Sequence, residues 1–316
     1  MTPTPLLLRR ATIGLLLSVV ALGAAAQTSA FRRESASVEI AGVREDVDIY
    51  RPLERPSIGV AIVAHGFTRS RVRHKGLGQA LAEAGVTAVI PDLPNVMDHW
   101  GNGDAVVDLV QKIESGQFGI PPTERMRVVL VGTSAGGLAT LWAAAKLPGL
   151  AGWIGLDPVD RTGSGTRAAA ELASPAIVLL GGGSSCNLFG SGRDIAGAVP
   201  RLLRTLSFKD ASHCDFEDPT NNFCRALCGK SSPQMQVRIR AETVRGALDL
   251  LHIAAGTAEV RPSPEVPEAS DDQATTLGSR VRGNDDGAAT PVPARRGNDD
   301  GAATPVPARR GNDDGA

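Results

Sequence analysis

The stretch RVVLVGTSAGGLATLWAAAK, residues 127–146, decides the fold of this chain. It opens with a short apolar run that is typical of a buried strand, and it ends in a run rich in Ala and Leu that favours a helix. The glycine-rich segment Gly132–Gly137 joins the two. A strand that turns directly into a helix is the repeating unit of a parallel sheet with helices on both faces.

The same alternation continues on both sides of this unit. A hairpin is predicted at Ser37–Ile40 and Val47–Tyr50, and buried strands at Val60–Ala64, Thr87–Ile90, Arg127–Val131, Gly152–Leu156, Ala176–Leu180 and Thr205–Phe208. Helices are predicted at Gly76–Ala84, Ala105–Ile113, Gly136–Lys146, Asp194–Leu203 and Val237–Ala254. The pattern predicts an α/β fold with a mostly parallel, doubly wound sheet of about eight strands. The connection after Gly152–Leu156 is too short for a cap domain, so we expect an open pocket formed by loops.

The two ends of the chain differ in composition from the middle. Arg9 and Arg10 precede an uncharged stretch, Ala11–Ala26, that ends in small residues, and this order is typical of a secretory signal peptide at residues 1–26. An uncleaved membrane anchor is the alternative, but the apolar part is short for a bilayer span. Residues 27–256 are expected to form one catalytic domain. From residue 257 onward the chain is rich in Pro, Ala, Gly, Asp and Arg, with repeats of GNDDGAATPVPARR, and we expect a disordered tail.

Export would place the chain in an oxidising compartment, either the periplasm or the extracellular medium. The four cysteines, Cys186, Cys214, Cys224 and Cys228, are then expected to form two disulfides, and the sequence leaves all three pairings open. A net charge of −1 argues against a nucleic-acid or anionic-membrane partner. No membrane span is expected after cleavage of the signal peptide, and the sequence does not indicate an oligomeric state.

The turn after the strand Arg127–Val131 contains the pattern G-x-S-x-G, with Ser134 between Gly132 and Gly136. In a strand–turn–helix setting this pattern is typical of a nucleophile elbow, in which the serine is strained and its crowded neighbours must be glycine. The hydroxyl then projects over the N-terminus of the following helix. A plain glycine-rich turn is the alternative interpretation.

A serine nucleophile needs two backbone N–H groups to stabilise an oxyanion. Ala135, directly after the nucleophile, is expected to supply the first. Phe67 is expected to supply the second, in the segment His65–Phe67 that follows the strand Val60–Ala64. His65 itself is expected to support this loop rather than to move protons.

His213 is expected to be the base, because it alone among the five histidines comes just after the last predicted strand, Thr205–Phe208. His252 belongs to the last helix, and His74 and His99 lie in segments interpreted as loops. A surface-loop histidine is the alternative interpretation of His213.

The acid is the least regular member of the site. No carboxylate lies in Gly181–Asn187, directly after the strand Ala176–Leu180, where the acid of such a site is usually found. We therefore expect Asp157, at the end of the neighbouring strand, to accept a hydrogen bond from the base. An aspartate that opens a turn before proline is the alternative interpretation. The fallback carboxylates are Asp160, Asp210 and Asp215.

These motifs resemble those of the α/β-hydrolase superfamily, and within it the chlorophyllase, polyester-hydrolase and dienelactone-hydrolase-like group. The resemblance covers roughly residues 37–255. The segment IGLDPVD, residues 154–160, is similar to the one that holds the catalytic Asp in chlorophyllases, and SHCD, residues 212–215, resembles their His motif. Chlorophyllases usually have His and Arg on either side of the nucleophile, where this chain has Thr133 and Ala135. The resemblance therefore implies the triad and ester chemistry, without the pigment substrate.

We expect an exported serine hydrolase that cleaves small-molecule or polymeric carboxylic esters through an acyl-enzyme on Ser134, with no cofactor. Asp98, His99 and Asp104 fit no standard zinc or calcium spacing, so no metal is expected. Two alternatives stay open. The first is an amidase, peptidase or lipase on the same fold, and the second is a catalytically inactive hydrolase-like binding protein.

Overall fold

The computed structural model describes residues 29–125 and 127–257. The predicted signal peptide, residues 1–26, and the repeat tail from residue 258 onward lie outside the described residues. Among the helices that are described, none combines the length and the apolar character needed to cross a bilayer.

The described chain builds one eight-stranded sheet. Its strands are β1 (Phe31–Ile40), β2 (Val43–Pro52), β3 (Val60–Ala64), β4 (Thr87–Pro91), β5 (Val128–Thr133), β6 (Gly152–Leu156), β7 (Ala176–Gly181) and β8 (Leu202–Phe208). Their order across the sheet is β1-β2-β4-β3-β5-β6-β7-β8. β2 is antiparallel to β1 and β4, and all other neighbours are parallel. The predicted mostly parallel α/β architecture is confirmed.

Helices fill the crossovers between the parallel strands. Those described are α1 (Lys75–Glu83), α2 (His99–Glu114), α3 (Pro122–Arg125), α4 (Ala135–Lys146), α5 (Ser164–Ala170), α6 (Gly192–Ala198), α7 (Asn222–Cys228) and α8 (Pro233–Ala254). Short 3-10 turns lie at Arg71–His74, Ser185–Asn187 and His213–Phe216. Between β6 and β7 the described chain has only the short helix α5, so no cap domain is inserted there.

Two apolar layers hold the sheet, one on each face. Successive side chains of a strand point to opposite faces, so Val60 and Ile62 of β3 belong to one layer while Ala61 and Val63 belong to the other. All of β3 is buried, as expected for a parallel strand that is covered on both sides. Helices α2, α4, α5 and α6 cover the first layer, and α1 and α8 cover the second.

The helix predicted at Asp194–Leu203 is wrong in its second half. Helix α6 ends at Ala198, because Val199 precedes a proline and takes an extended backbone, which a residue before proline favours. The strand predicted to begin at Thr205 begins earlier, as β8, at Leu202.

Two histidines in predicted loops, His74 and His99, lie in helical segments of the structure. His99 is the first residue of α2, because the side chain of Asp98 caps that helix by accepting a hydrogen bond from the N–H of Gly101 at 2.8 Å. His74 ends a 3-10 turn and is buried. Burial lowers the pKa of His74 to about 3, so its ring is neutral at physiological pH.

Disulfides fasten helix α7 to two loops. Cys224 bonds to Cys214 with an S–S distance of 2.13 Å, and Cys228 bonds to Cys186 at 1.97 Å. The two helix cysteines are four residues apart and therefore share a face of α7. The sequence left three pairings open, and this arrangement is one of them. Such bonds persist in oxidising compartments.

Thiol counting tests this pairing. Denatured, unreduced protein is expected to show no free thiol, because the structure pairs all four cysteines. Proteolysis and mass spectrometry should then recover one peptide pair joined through Cys186 and Cys228 and another joined through Cys214 and Cys224. A bond between Cys224 and Cys228, or four free thiols, would contradict the arrangement.

Candidate active site

Ser134 lies in the tight turn between β5 and α4. Its backbone has φ 56° and ψ −122°, outside the regions that a residue with a side chain usually adopts. Hydrogen bonds to the end of β6 and to the segment that follows it stabilise this conformation. The N–H of Ser134 donates to the carbonyl of Leu156 at 3.0 Å, and its carbonyl accepts from the N–H of Val159 at 3.3 Å. The turn places Ser134 at the N-terminus of α4, where the helix dipole is positive.

Glycine is required on both sides of this turn. A Cβ on Gly132 would overlap the carbonyl oxygen of Gly136, and a Cβ on Gly136 would overlap the carbonyl oxygen of His65. Both obstacles are backbone atoms, which cannot swing aside as a side chain can. The two glycines of the G-x-S-x-G pattern are therefore needed for steric reasons alone.

The chain brings His213 and Asp157 together from β8 and β6, which are not adjacent in the sheet. His213 follows β8 in a 3-10 turn, and Asp157 comes directly after the last residue of β6. Nδ1 of His213 lies 2.6 Å from Oδ2 of Asp157, and both side chains are buried. Because the Nδ1–H donates to the carboxylate, Nε2 is the ring nitrogen left to accept a proton.

Asp157 has further partners that the sequence analysis missed. Its carboxylate accepts hydrogen bonds from the N–H of Gly181 at 3.0 Å and from the side-chain amide of Asn187 at 3.0 Å. Asn187 lies in the segment after β7 that contains no carboxylate. Nothing in the local sequence marks an amide as the partner of a distant aspartate, and only its place after β7 draws attention to it.

None of the three fallback carboxylates contacts the ring of His213. Asp160 accepts from the N–H of Thr166 at 2.9 Å, near the start of α5. Asp215 accepts from the N–H of Ser232 at 2.7 Å, just before α8. Asp210 is exposed after β8. Among the described contacts of His213, the carboxylate bound to the ring is that of Asp157.

The loop after β3 packs closely on the turn of Ser134. A Cβ on Gly66 would come within 3.1 Å of Cβ of Ser134, so the glycine permits this approach. Phe67 and Ala135 both line the same cleft as Ser134. In the part of the chain that the structure describes, their backbone N–H groups donate no hydrogen bond, and they are free to bind an oxyanion.

His65 supports this loop through both ring nitrogens. Nδ1 lies 2.9 Å from the carbonyl oxygen of Gly66, and Nε2 accepts from the N–H of Leu93 at 3.0 Å. Nδ1 therefore carries the proton and donates it. Burial lowers the pKa of His65, so the neutral ring is favoured.

A buried ion pair joins the same loop to the histidine segment. Nε and Nη2 of Arg69 donate to the two carboxylate oxygens of Glu217 at 2.5 and 2.6 Å. Nη2 also donates to the side chain of Asn221 at 2.9 Å, and Asn221 caps α7. Such a two-pronged pair fixes direction as well as distance. The loop after β3, the turn of His213 and the start of α7 are thereby held together.

Ser134 and His213 line one cleft of about 700 Å³. Its wall contains five large apolar side chains that are exposed to solvent: Phe67, Met97, Trp100, Phe223 and Leu227. The cleft therefore combines a hydroxyl, an imidazole bound to a carboxylate and two free N–H groups with an apolar surface. These groups are chemically equipped for acyl transfer.

Comparisons with known proteins bear on the fold. No protein-family model matches the chain, and no curated protein matches it in sequence. Among solved structures it is similar to the crystal structure of dienelactone hydrolase from Anabaena variabilis, at 17% identity and a TM-score of 0.56. The match covers 70% of this chain and 98% of that one. Together with the sheet order and the strand–turn–helix unit at Ser134, this likeness shows that the chain has the α/β-hydrolase fold, in a form that it shares with dienelactone hydrolase.

Proposed function

We propose that this protein is an exported serine hydrolase that cleaves carboxylic esters. The observation that carries the proposal is the 2.6 Å contact between Nδ1 of His213 and Oδ2 of Asp157, in the same cleft as the strained turn of Ser134. A buried carboxylate that orients an imidazole is the arrangement that activates a serine hydroxyl. Export is supported by the two disulfides.

The reaction proceeds in two halves. Ser134 attacks the ester carbonyl, Nε2 of His213 takes the hydroxyl proton, and Asp157 stabilises the imidazolium that forms. The N–H groups of Phe67 and Ala135 hold the oxyanion. His213 then gives its proton to the departing alcohol, which leaves an acyl group on Ser134. Water, deprotonated by His213, releases the acid and restores the serine.

The apolar wall of the cleft favours esters with an apolar acyl or alcohol group. This chain is poor in aromatic residues, with 3% Phe, Trp and Tyr, yet three exposed aromatic side chains line this cleft. Exposed apolar surface of this kind marks a site that becomes covered by a ligand. A polymeric ester would meet the same surface, since the cleft opens to solvent.

Two other functions are alternatives: an amidase or peptidase with the same catalytic residues, and an inactive binding protein that uses none of them for catalysis. An amidase or peptidase would share the nucleophile and base, and a panel of amide and ester substrates with the same acyl group separates it from an esterase. An inactive binding protein would show no turnover of any activated ester. The free N–H groups beside Ser134 favour catalysis, because binding alone does not need an oxyanion site.

Ser134→Ala is expected to lower turnover of p-nitrophenyl butanoate by several orders of magnitude, because the acyl-enzyme cannot form. The melting temperature should stay close to that of the wild type, since Ala fits wherever Ser does at this φ. A fluorophosphonate is expected to label Ser134 alone, as judged by peptide mass spectrometry. Retained turnover, or a label on another serine, would refute the assignment of the nucleophile.

Asp157→Asn is expected to lower turnover by about 10²–10⁴, because it keeps the shape of the side chain but removes the charge that stabilises the imidazolium. Asp160→Asn and Asp215→Asn are the matched controls. Each also removes one aspartate charge. Asp160 binds the N–H of Thr166, and Asp215 binds the N–H groups of Ser212 and Ser232, so neither carboxylate contacts the imidazole ring and turnover should fall much less. A larger loss in either control than in Asp157→Asn would identify a different acid.

Rising acyl length in p-nitrophenyl esters tests the apolar wall. Octanoate is expected to exceed acetate in kcat/KM by about tenfold or more, because each methylene that the cleft buries contributes about 0.8 kcal/mol. Phe223→Ala should reduce this preference severalfold and leave acetate turnover almost unchanged. Leu53→Ala removes an equally exposed apolar side chain away from the cleft and should not alter it. A flat chain-length profile would exclude an apolar acyl site.

A further inference from the structure

We propose that Asn187 is a positioning residue that aims the carboxylate of Asp157 at His213. The inference rests on the proposed function, since it concerns the acid of the same site. Asn187 touches neither the substrate cleft nor the reacting serine, and it would act through Asp157.

The side-chain amide of Asn187 is fully buried and clasps the carboxylate. Its Nδ2 lies 3.0 Å from Oδ2 and 3.3 Å from Oδ1 of Asp157, and 2.8 Å from the carbonyl oxygen of Gly182. Oδ2 is also the oxygen that binds His213. The amide therefore fixes the rotation of the carboxylate that determines where the His213 bond points.

The orientation of the amide is itself determined by its surroundings. Its Oδ1 accepts from the N–H of Ser184 at 2.8 Å and from the N–H of Gly190 at 3.1 Å. If the amide were rotated by 180°, its NH₂ group would face the N–H groups of Ser184 and Gly190, and no hydrogen bond could form between donors. The backbone next to this amide is strained. Leu188 and Phe189 have φ of 50° and 57°, values that glycine adopts freely and residues with a side chain adopt rarely.

A covalent path links the loop of Asn187 to that of the base. Cys186 precedes Asn187 and bonds to Cys228 of α7, and Cys214 follows His213 and bonds to Cys224 of the same helix. The two segments that contact Asp157 from the β7 and β8 sides are therefore anchored to one short helix. This anchorage restricts the movement of the Asn187 amide and the His213 ring relative to the carboxylate of Asp157.

Asn187→Asp tests the role without changing the shape. It replaces the donor by a second carboxyl group about one hydrogen-bond length from Asp157. Two carboxyl groups this close share a proton at low pH, and once that proton is lost the added negative charge near His213 favours the imidazolium. The base must be neutral to accept the serine proton. The pH at which kcat/KM for p-nitrophenyl butanoate reaches half its plateau is therefore expected to move upward by about one unit. The plateau kcat is expected to fall about tenfold or more, with KM changed less than about twofold.

The other charged groups around His213 stay as they are in this variant. Arg69 and Glu217 neutralise each other, and Asp215 is bound to backbone N–H groups. Arg161 lines the cleft and is likewise unchanged. A movement of the pH profile can therefore be assigned to the new carboxylate.

Asn102→Asp is the matched control. Asn102 is also a buried asparagine whose amide is bound to backbone, to the N–H and carbonyl of Asn95. It does not contact Asp157. Its replacement is expected to lower the melting temperature and to leave the half-plateau pH in place.

Asn187→Ser covers the case in which Asn187→Asp does not fold. The shorter side chain removes the Nδ2 donor without adding charge, and kcat is expected to fall about tenfold at unchanged KM. The proposal is overturned if the variants that fold lose only thermal stability, with kcat and the pH profile at wild-type values. Ser134→Ala is assayed in parallel, and turnover retained by that variant would refute the proposed function rather than the role of Asn187.

Discussion

The charge of Asp157 is the constraint around which this end of the molecule is arranged. Its side chain is 1% exposed, and a carboxylate taken out of water is destabilised by several kcal/mol, roughly, unless other donors replace its hydration. The replacements come from three places: the N–H of Gly181 at the end of β7, the amide of Asn187 in the next loop, and the ring of His213 after β8. The hydrogen bonds that stabilise this one buried charge therefore bring together the end of β6 and the segments that follow β7 and β8.

The loops at this edge are held by strong individual contacts in place of regular hydrogen-bond ladders. The ion pair between Arg69 and Glu217 joins the loop after β3 to the turn after β8, and two disulfides join the loops after β7 and β8 to α7. A buried pair of this kind needs good geometry to offset its desolvation, which its two parallel hydrogen bonds supply. The edge gains rigidity because each loop is tied to another loop as well as to its strand.

Much of the fold can be predicted from local sequence patterns. The features that could not be predicted depend on contacts between residues far apart in the sequence. The strands Val60–Ala64 and Gly152–Leu156 match their predicted bounds, because short apolar runs between turn residues are local signals. The location of Ser134 and His213 at one edge of the sheet could be predicted, because each comes after a parallel strand. Their catalytic roles stay predictions. Helix α7 was not predicted, since disulfides and an Asn cap stabilise seven residues with little periodicity. The contact of Asn187 with Asp157 depends on residues 30 positions apart, which no local pattern reveals.

The position of Asp157 directly after β6 couples it to Ser134 as well as to His213. Because β6 is adjacent to β5, Leu156 accepts the N–H of Ser134 and Val159 donates to its carbonyl, so the segment that carries Asp157 also holds the serine turn. Asp157 itself has φ of 44°, and its strained backbone lies between those two contacts. A change in this segment would therefore disturb Ser134 and Asp157 together. The loop after β7 has no carboxylate in residues 181–187, and it supplies the amide of Asn187 and the disulfide to α7.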